Sequence, residues 1–586
     1  MGLIIDGTII VLYFCLISAI GLYMGRREKS LLDFALGGRG VPWWAVMASI
    51  IAAETSAATF LGAPEEGFSK QTLAYVQLAF GAILGRYVVA NFFLKPYYDY
   101  KVYTVYDYLG ARFGPSTKNL VSALFLVMRT LASGTRLFIP SLVMVLAWKL
   151  FTEHGKSVVY GQDAVHGVIP YLVAIISLTI LTCIYTAKGG IKAVIWTDVA
   201  QATLMFGSAL VVVFMLFSQI GGVGAFLKAV PDMRTLHGYF VTGFEPSTIH
   251  AWQKDEHLAV GSPMTWWDTL KLIFTGDYTI FSALVGATAQ NMAAFGTDQD
   301  MVQRLLTSET QAKARRSLLT AAWMDIPIAT VFTLIGILLF VYYKQDPTFK
   351  PANNDDVFGS YILNVLPVGI RGLVLAGVFA TAMGSLSAAL NSLATSATND
   401  WYIPFYAKPR ALGEDRIVRA AKWFTLLFAF LMVVVAGIFA YIQVKDSTLR
   451  IIPVVLGIAG YILGPMLGVF LLGMFTKRRG SDRGNMIAIV AGLLTTSFLG
   501  DLPGKIWPAL SVKSLRVPYF GPGMQILGWR PLALPDISFA WYALIGAVAV
   551  LVIGLLFTTP PAVLASAKQR EEQADSGEDV PMALRT

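Results

Sequence analysis

Residues 48–62 read Ala-Ser-Ile-Ile-Ala-Ala-Glu-Thr-Ser-Ala-Ala-Thr-Phe-Leu-Gly, an apolar stretch interrupted at its middle by Glu54, Thr55, Ser56 and Thr59. Their chemistry is that of oxygen: in a discontinuous helix, unwound carbonyls hold a cation and hydroxyls hold a solute. A continuous lipid-facing helix gains nothing from them, and a carboxylate at a bilayer centre costs about 2.5–3.5 kcal/mol even on a lenient insertion scale. Close packing through small residues would account for the Ser, Thr and Ala but not for Glu54. A second stretch, 380–402, places Thr381, Ser385, Ser392 and Thr395 at helical spacings, so that Thr381 and Ser385 share a face. Such hydroxyls suit a sodium ion; they also serve as ordinary hydrogen-bonding groups between helices.

Other chemistries lack their residues. The histidines His154, His166, His237, His250 and His257 fall in expected loops without HExxH spacing, which gives metal catalysis no support. Cys15 and Cys183 lie in apolar segments, where neither a disulfide framework nor a metal cluster is implied. There is no GxxxxGK[ST] phosphate loop, so a solute moved uphill would draw on an ion gradient. No cofactor is expected.

The elements that must position these oxygens are membrane helices. Of 586 residues, 56% are hydrophobic and 14% charged, against about 25% charged in soluble domains, and mean hydropathy is +0.62. The chain reads as an all-α polytopic membrane protein with about thirteen spans, centred near residues 15, 54, 83, 134, 177, 205, 282, 328, 380, 430, 462, 493 and 547. The fourth and ninth are long enough to tilt or project. The segment 4–25 has no basic leader and begins with Asp6, as a retained helix would. Basic residues gather in connections 26–41, 298–316, 403–422 and 476–483, which thirteen spans place on one side. That side is expected to be cytoplasmic, with the N-terminus outside and the C-terminus inside a cell (plasma or inner) membrane. The net charge of +9 is then a matter of topology and lipid headgroups, with no nucleic-acid partner implied. Connections 219–265 and 501–535 and a polar, mobile tail from about 566 complete the chain.

Four ordered motifs, Ala52 to Gly62, Gly189 to Asp198, Gly296 to Arg304 and Ser385 to Tyr402, resemble the sodium/solute symporters, which include sodium/glucose, sodium/proline and bacterial sialic acid transporters. The resemblance implies one transmembrane domain of the leucine-transporter-like kind. It has two inverted five-helix repeats (about 42–218 and 266–475), extra helices at about 4–25, 484–500 and 537–557, and alternating access around a midplane site. It further implies a sodium site from backbone oxygens of Ala52, Thr55 and Thr381 and the hydroxyl of Ser385, with one hydroxyl ligand missing at Gly384. Asp198 with Ser387 resembles a second sodium or coupling site, although its other hydroxyl positions are Gly384 and Ala388 here.

For the solute, Ser56 and Thr59 match contacts of the sialic acid transporters, and Gln77 lies near a matching polar position. Glu54 stands where relatives carry Asn or Thr, and the inner-gate aromatic of sugar transporters is replaced by Ala293 or Ala294 with Phe295 adjacent. Arg129 and Arg136 are mid-span; a buried Arg suits a planar carboxylate bidentately, and either could instead pair with Glu54. The function expected is sodium-coupled symport of a small organic solute, a carboxylate or sialic-acid-like molecule, with a neutral sugar as the competing solute. A sodium-independent facilitator, a channel and a transporter-like sensor are weighed against it. A channel would show a repeated filter, and a sensor an appended signalling domain.

Overall fold

Apolar segments in lipid must satisfy their own backbone hydrogen bonds, and helices are the way this chain does so. A computed structural model describes the chain apart from residues 1, 27–29, 153–166, 231–240, 256–258, 347–356, 446–450, 507–510, 513–515, 521–525, 532–536 and 566–586. The tail expected from 566 therefore lies outside the described residues, as do His154, His166, His237 and His257. His250, expected in a loop, sits in a short helix, Pro246–Asp255.

The principal helices are α1 (Gly2–Met24), α2 (Trp43–Glu54), α3 (Ala57–Lys70), α4 (Leu78–Val88), α5 (Pro115–Arg136), α6 (Ile169–Gln219), α7 (Thr288–Thr297), α8 (Gln299–Leu306), α9 (Gln311–Gln345), α10 (Ile370–Ser396), α11 (Glu414–Lys445), α12 (Ile451–Phe475), α13 (Asp482–Leu499) and α14 (Tyr542–Gly554). All thirteen expected centres fall on helical residues. Among the described residues, seven helices can cross a membrane by length and hydropathy, or eight when α2 and α3 are taken as one span. At 51 residues α6 is roughly 77 Å long at 1.5 Å per residue, more than twice a hydrocarbon core. Its backbone leaves helical geometry at Gly190 (φ 48°, ψ −151°), which divides it into two helices. Within the connection 501–535, strands β1 (Arg516–Phe520) and β2 (Ile526–Pro531) form an antiparallel hairpin.

The break between α2 and α3 comes from local chemistry. Thr55 and Ser56 adopt extended backbone (ψ 92° and 167°), and the Ser56 hydroxyl caps α3 by accepting from the Thr59 amide at 3.3 Å. The two halves meet at 62°. Their last carbonyls and first amides lack intrahelical partners, a condition tolerated at membrane depth only where protein or a cavity surrounds them.

Protein does surround this break. In the span containing α10, 89% of the most apolar window is buried, against 22% for α1 and 33% for α11, so α10 runs through the middle while those helices face outward. Asp6 of α1, fully buried, accepts from the amides of Gly369 (2.7 Å) and Gly372 (3.0 Å) and pairs with Arg371, which caps the start of α10. Half-helix α3 packs on α9 through small residues: a Cβ on Gly67 would stand 2.1 Å from the Thr333 carbonyl, and one on Gly336 1.9 Å from the Pro64 carbonyl. Backbone touches backbone there, as small residues allow in lipid.

Candidate ion and solute site

Ser56 and Ala57, at the start of α3, line a pocket with Ser133, Arg136 and Leu137 of the fourth span and Ala382, Ser385 and Leu386 of α10. The Ser385 hydroxyl is buried without a hydrogen-bond partner. Thr381, one turn earlier, ties its own hydroxyl to the Val378 carbonyl at 2.7 Å, which leaves its backbone oxygen as the group it can offer an ion. Ala52 and Thr55 are buried at the end of α2. Thr59 reaches the same corner through its contact with Ser56 (Oγ1 to Oγ, 3.4 Å). Arg136 forms no ion pair among the described residues. The pocket thus joins hydroxyls to a partly buried guanidinium, and a guanidinium within a membrane span calls for an anion.

Glu54 has a different partner. Its carboxylate pairs with Arg86 of α4, not with Arg136, and Arg86 also pairs with Asp325 of α9 at 2.7 Å. The Arg86 Nε donates to Asn291 Oδ1 at 3.3 Å, and its guanidinium lies 4.0 Å from the centre of the Phe295 ring. Sequence reasoning missed Arg86 and Asp325, although a charged residue inside a span is itself a signal. Gln77 is buried and donates to the Tyr278 carbonyl at 3.3 Å. Glu54, Gln77 and Phe295 are not among the residues lining the Arg136 pocket.

A second ionic cluster lies under α8. Asp298 caps that helix by accepting from the Asp300 amide at 3.0 Å, and Arg129 pairs with both aspartates. Arg304, fully buried, reaches Asp300 Oδ1 (2.8 Å), the Ser49 hydroxyl (2.9 Å) and Asp198 Oδ2 (3.5 Å). Ser49 also donates to Asp198 Oδ2 at 2.6 Å. Gln303 donates to Ala35 O (2.6 Å), Asn391 Oδ1 (2.7 Å) and Thr395 Oγ1 (3.0 Å). The Gly296 to Arg304 motif is therefore a capped helix start whose last two side chains tie α2, α6 and α10 together. Ser387 donates to the Gly384 carbonyl at 3.0 Å, close by Asp198.

A broken helix beside a buried, oxygen-bearing helix, inside a bundle of membrane spans, is the architecture of a secondary transporter. The chain belongs to the sodium:solute symporter family, whose model matches residues 34–152 and 164–492. It is 28% identical over 530 residues to the sodium/sialic acid symporter SiaT of Proteus mirabilis, covering 88% of this chain and 95% of that protein. It is 26% identical over 524 residues to the sodium/glucose cotransporter of Vibrio parahaemolyticus, covering 85% and 86%. Its fold matches a structure of a Na+-coupled sialic acid symporter in a substrate-bound outward-open state, with a TM-score of 0.71 at 24% identity over 94% of this chain and 97% of the other.

Proposed function

We propose that this chain imports a small organic carboxylate together with sodium by alternating access, and that its work is transport and not catalysis. The observation that carries the solute class is Arg136: a guanidinium lining a pocket beside Ser56, Ser133 and Ser385, with no ion pair within contact distance among the described residues, Asp298 acting on it only from further away. The sodium reading draws on Ser385, whose buried hydroxyl lacks a partner, with backbone oxygens of Ala52, Thr55 and Thr381 completing a first site. Asp198, with Ser387, is assigned to coupling. The relatives named above, for sialic acid and glucose, bracket the solute between a sugar acid and a neutral sugar. The hydroxyls of Ser56 and Ser133 admit a neutral sugar as the second reading, because hydroxyls can bond either solute. The N-terminus is assigned to the outside and the C-terminus to the cytoplasm of a cell membrane, with lipid around the bundle.

Uptake into proteoliposomes, compared across sialic acids, sugar acids, monocarboxylates, amino acids and neutral sugars with sodium or choline outside, tests both parts. The expected result is sodium-dependent uptake of a carboxylate, reduced about tenfold or more in Arg136→Lys, where bidentate geometry is lost. Strong uptake of a neutral sugar, uncompeted by any carboxylate, overturns the solute class. Uptake indifferent to sodium overturns symport.

A further inference from the structure

The basic connections differ in what their charges meet. In 298–316, Arg304 is buried in ion pairs and Lys313 pairs with Glu309. In 403–422, Glu414 and Asp415 stand exposed among the cations. In 476–483, Lys477, Arg478, Arg479 and Arg483 are all exposed, and none has an ion pair among the described residues. The one carboxylate of that connection is committed elsewhere: Asp482 accepts from the amides of Ser116 (3.1 Å) and Thr117 (2.7 Å) at the start of α5. Like charges set so close repel one another, yet the turn that carries them is pinned. The Gly480 amide donates to the Phe557 carbonyl at 2.8 Å and the Thr559 amide to the Arg478 carbonyl at 3.0 Å. Arg112, from the helix Val105–Arg112, donates to the Thr476 carbonyl at 2.7 Å. The same turn adjoins bare apolar surface. Arg479 donates to the Leu555 carbonyl at 3.2 Å, and Phe475, Leu555 and Leu556, at the ends of α12 and α14, are 57%, 42% and 74% exposed.

We propose that this corner, where α12, α13 and α14 end together, is a site for an anionic phospholipid. Its phosphate meets Lys477, Arg478 and Arg483, and its chains lie along Phe475, Leu555 and Leu556. Charge selects the occupant: a neutral lipid leaves the cations unanswered, and a free phosphate leaves the apolar side chains uncovered. Basic residues fixed at the ends of membrane helices suit such headgroups. The proposal is independent of the symport reading, since no residue of the ion or solute site takes part.

Native mass spectrometry of the purified full-length transporter in neutral detergent, titrated with phosphatidylglycerol or phosphatidylcholine, tests this without transport. Wild type is expected to retain phosphatidylglycerol in preference to phosphatidylcholine. Lys477→Gln, Arg478→Gln and Arg483→Gln should each weaken that retention about fivefold and together about a hundredfold, while Lys477→Arg with Arg478→Lys keeps it. Removing three charges elsewhere, in Arg315→Gln, Arg416→Gln and Arg419→Gln together, should leave it near wild type. Unchanged thermal unfolding in phosphatidylcholine micelles is expected for all of these, because the side chains of Lys477, Arg478 and Arg483 make no hydrogen bond among the described residues. No preference in wild type, an equal loss in the two triple variants, or displacement of the lipid by inorganic phosphate at matched ionic strength overturns the site. A preference that emerges only when Glu571, Glu572 and Asp575 are changed to glutamine also overturns it, and assigns the corner to the chain's own acidic tail.

Discussion

Ser385 and Ser392 are the same group in two circumstances: the first is buried with nothing to bond, whereas the second donates to the Ala389 carbonyl at 3.0 Å. Ser385→Ala should therefore raise the sodium concentration for half-maximal uptake about tenfold, corresponding to about 1.4 kcal/mol, while Ser392→Ala leaves it near wild type. Equal sodium dependence in the two variants would refute the first site. Arg86 sets a different experiment, because it holds two carboxylates with one guanidinium. Removing its charge in Arg86→Gln strands Glu54 and Asp325, and a broken buried pair costs about 3–5 kcal/mol. Thermal unfolding in detergent should show a large loss for Arg86→Gln and a small one for Asp325→Asn, which leaves a one-to-one pair. Adding Glu54→Gln and Asp325→Asn to Arg86→Gln should recover part of the loss. No recovery would mean that Arg86 acts by packing on Phe295 and not by charge.

Among the elements, α6 carries the sharpest local constraint. Gly190 holds a positive φ within a conformation that side chains rarely adopt, so Gly190→Ala should lower the melting temperature by the equivalent of about 1–3 kcal/mol. Gly62 has open space where a Cβ would go, and Gly62→Ala in mid-helix should be neutral or stabilising by up to about 1 kcal/mol. A similar loss in both variants would locate the effect in helix packing instead of at the kink. These helices were legible in sequence because membrane length and hydropathy leave few options, and the break at 54–56 was legible because polar groups have no other use there. Ser385 and Arg136 are each singled out, for different roles, by treating mid-span polar residues as functional; that they line one pocket is seen only in the fold. What could not be read was partner choice: Glu54 is one span from Arg86 and two from Arg136, and only packing decides between them.

For the whole molecule, charge balance connects solute to stoichiometry. With a tenfold sodium gradient and 100 mV, one sodium supplies roughly 1.4 plus 2.3 kcal/mol, but a carboxylate carried with it cancels the electrical part and leaves about tenfold accumulation. Two sodium ions per carboxylate restore one net charge and about 5 kcal/mol, enough for several-thousand-fold accumulation. Carboxylate uptake coupled to two sodium ions should therefore be stimulated by an inside-negative potential. Potential-independent uptake by wild type would mean that one sodium accompanies each anion. The glycine seam between α3 and α9 bears on how an ion commands movement at all. Helices that touch backbone to backbone cannot slide without lifting apart, so any bending at Thr55 and Ser56 would carry these two together as one lever. The arm of 14 residues is about 21 Å long, and a rotation of about 5° sweeps its tip through roughly 2 Å. At such a fulcrum almost nothing would be displaced, yet every carbonyl would be re-aimed, so a cation held as proposed between Ala52 and Thr55 would respond to the angle of the arm and not to its travel.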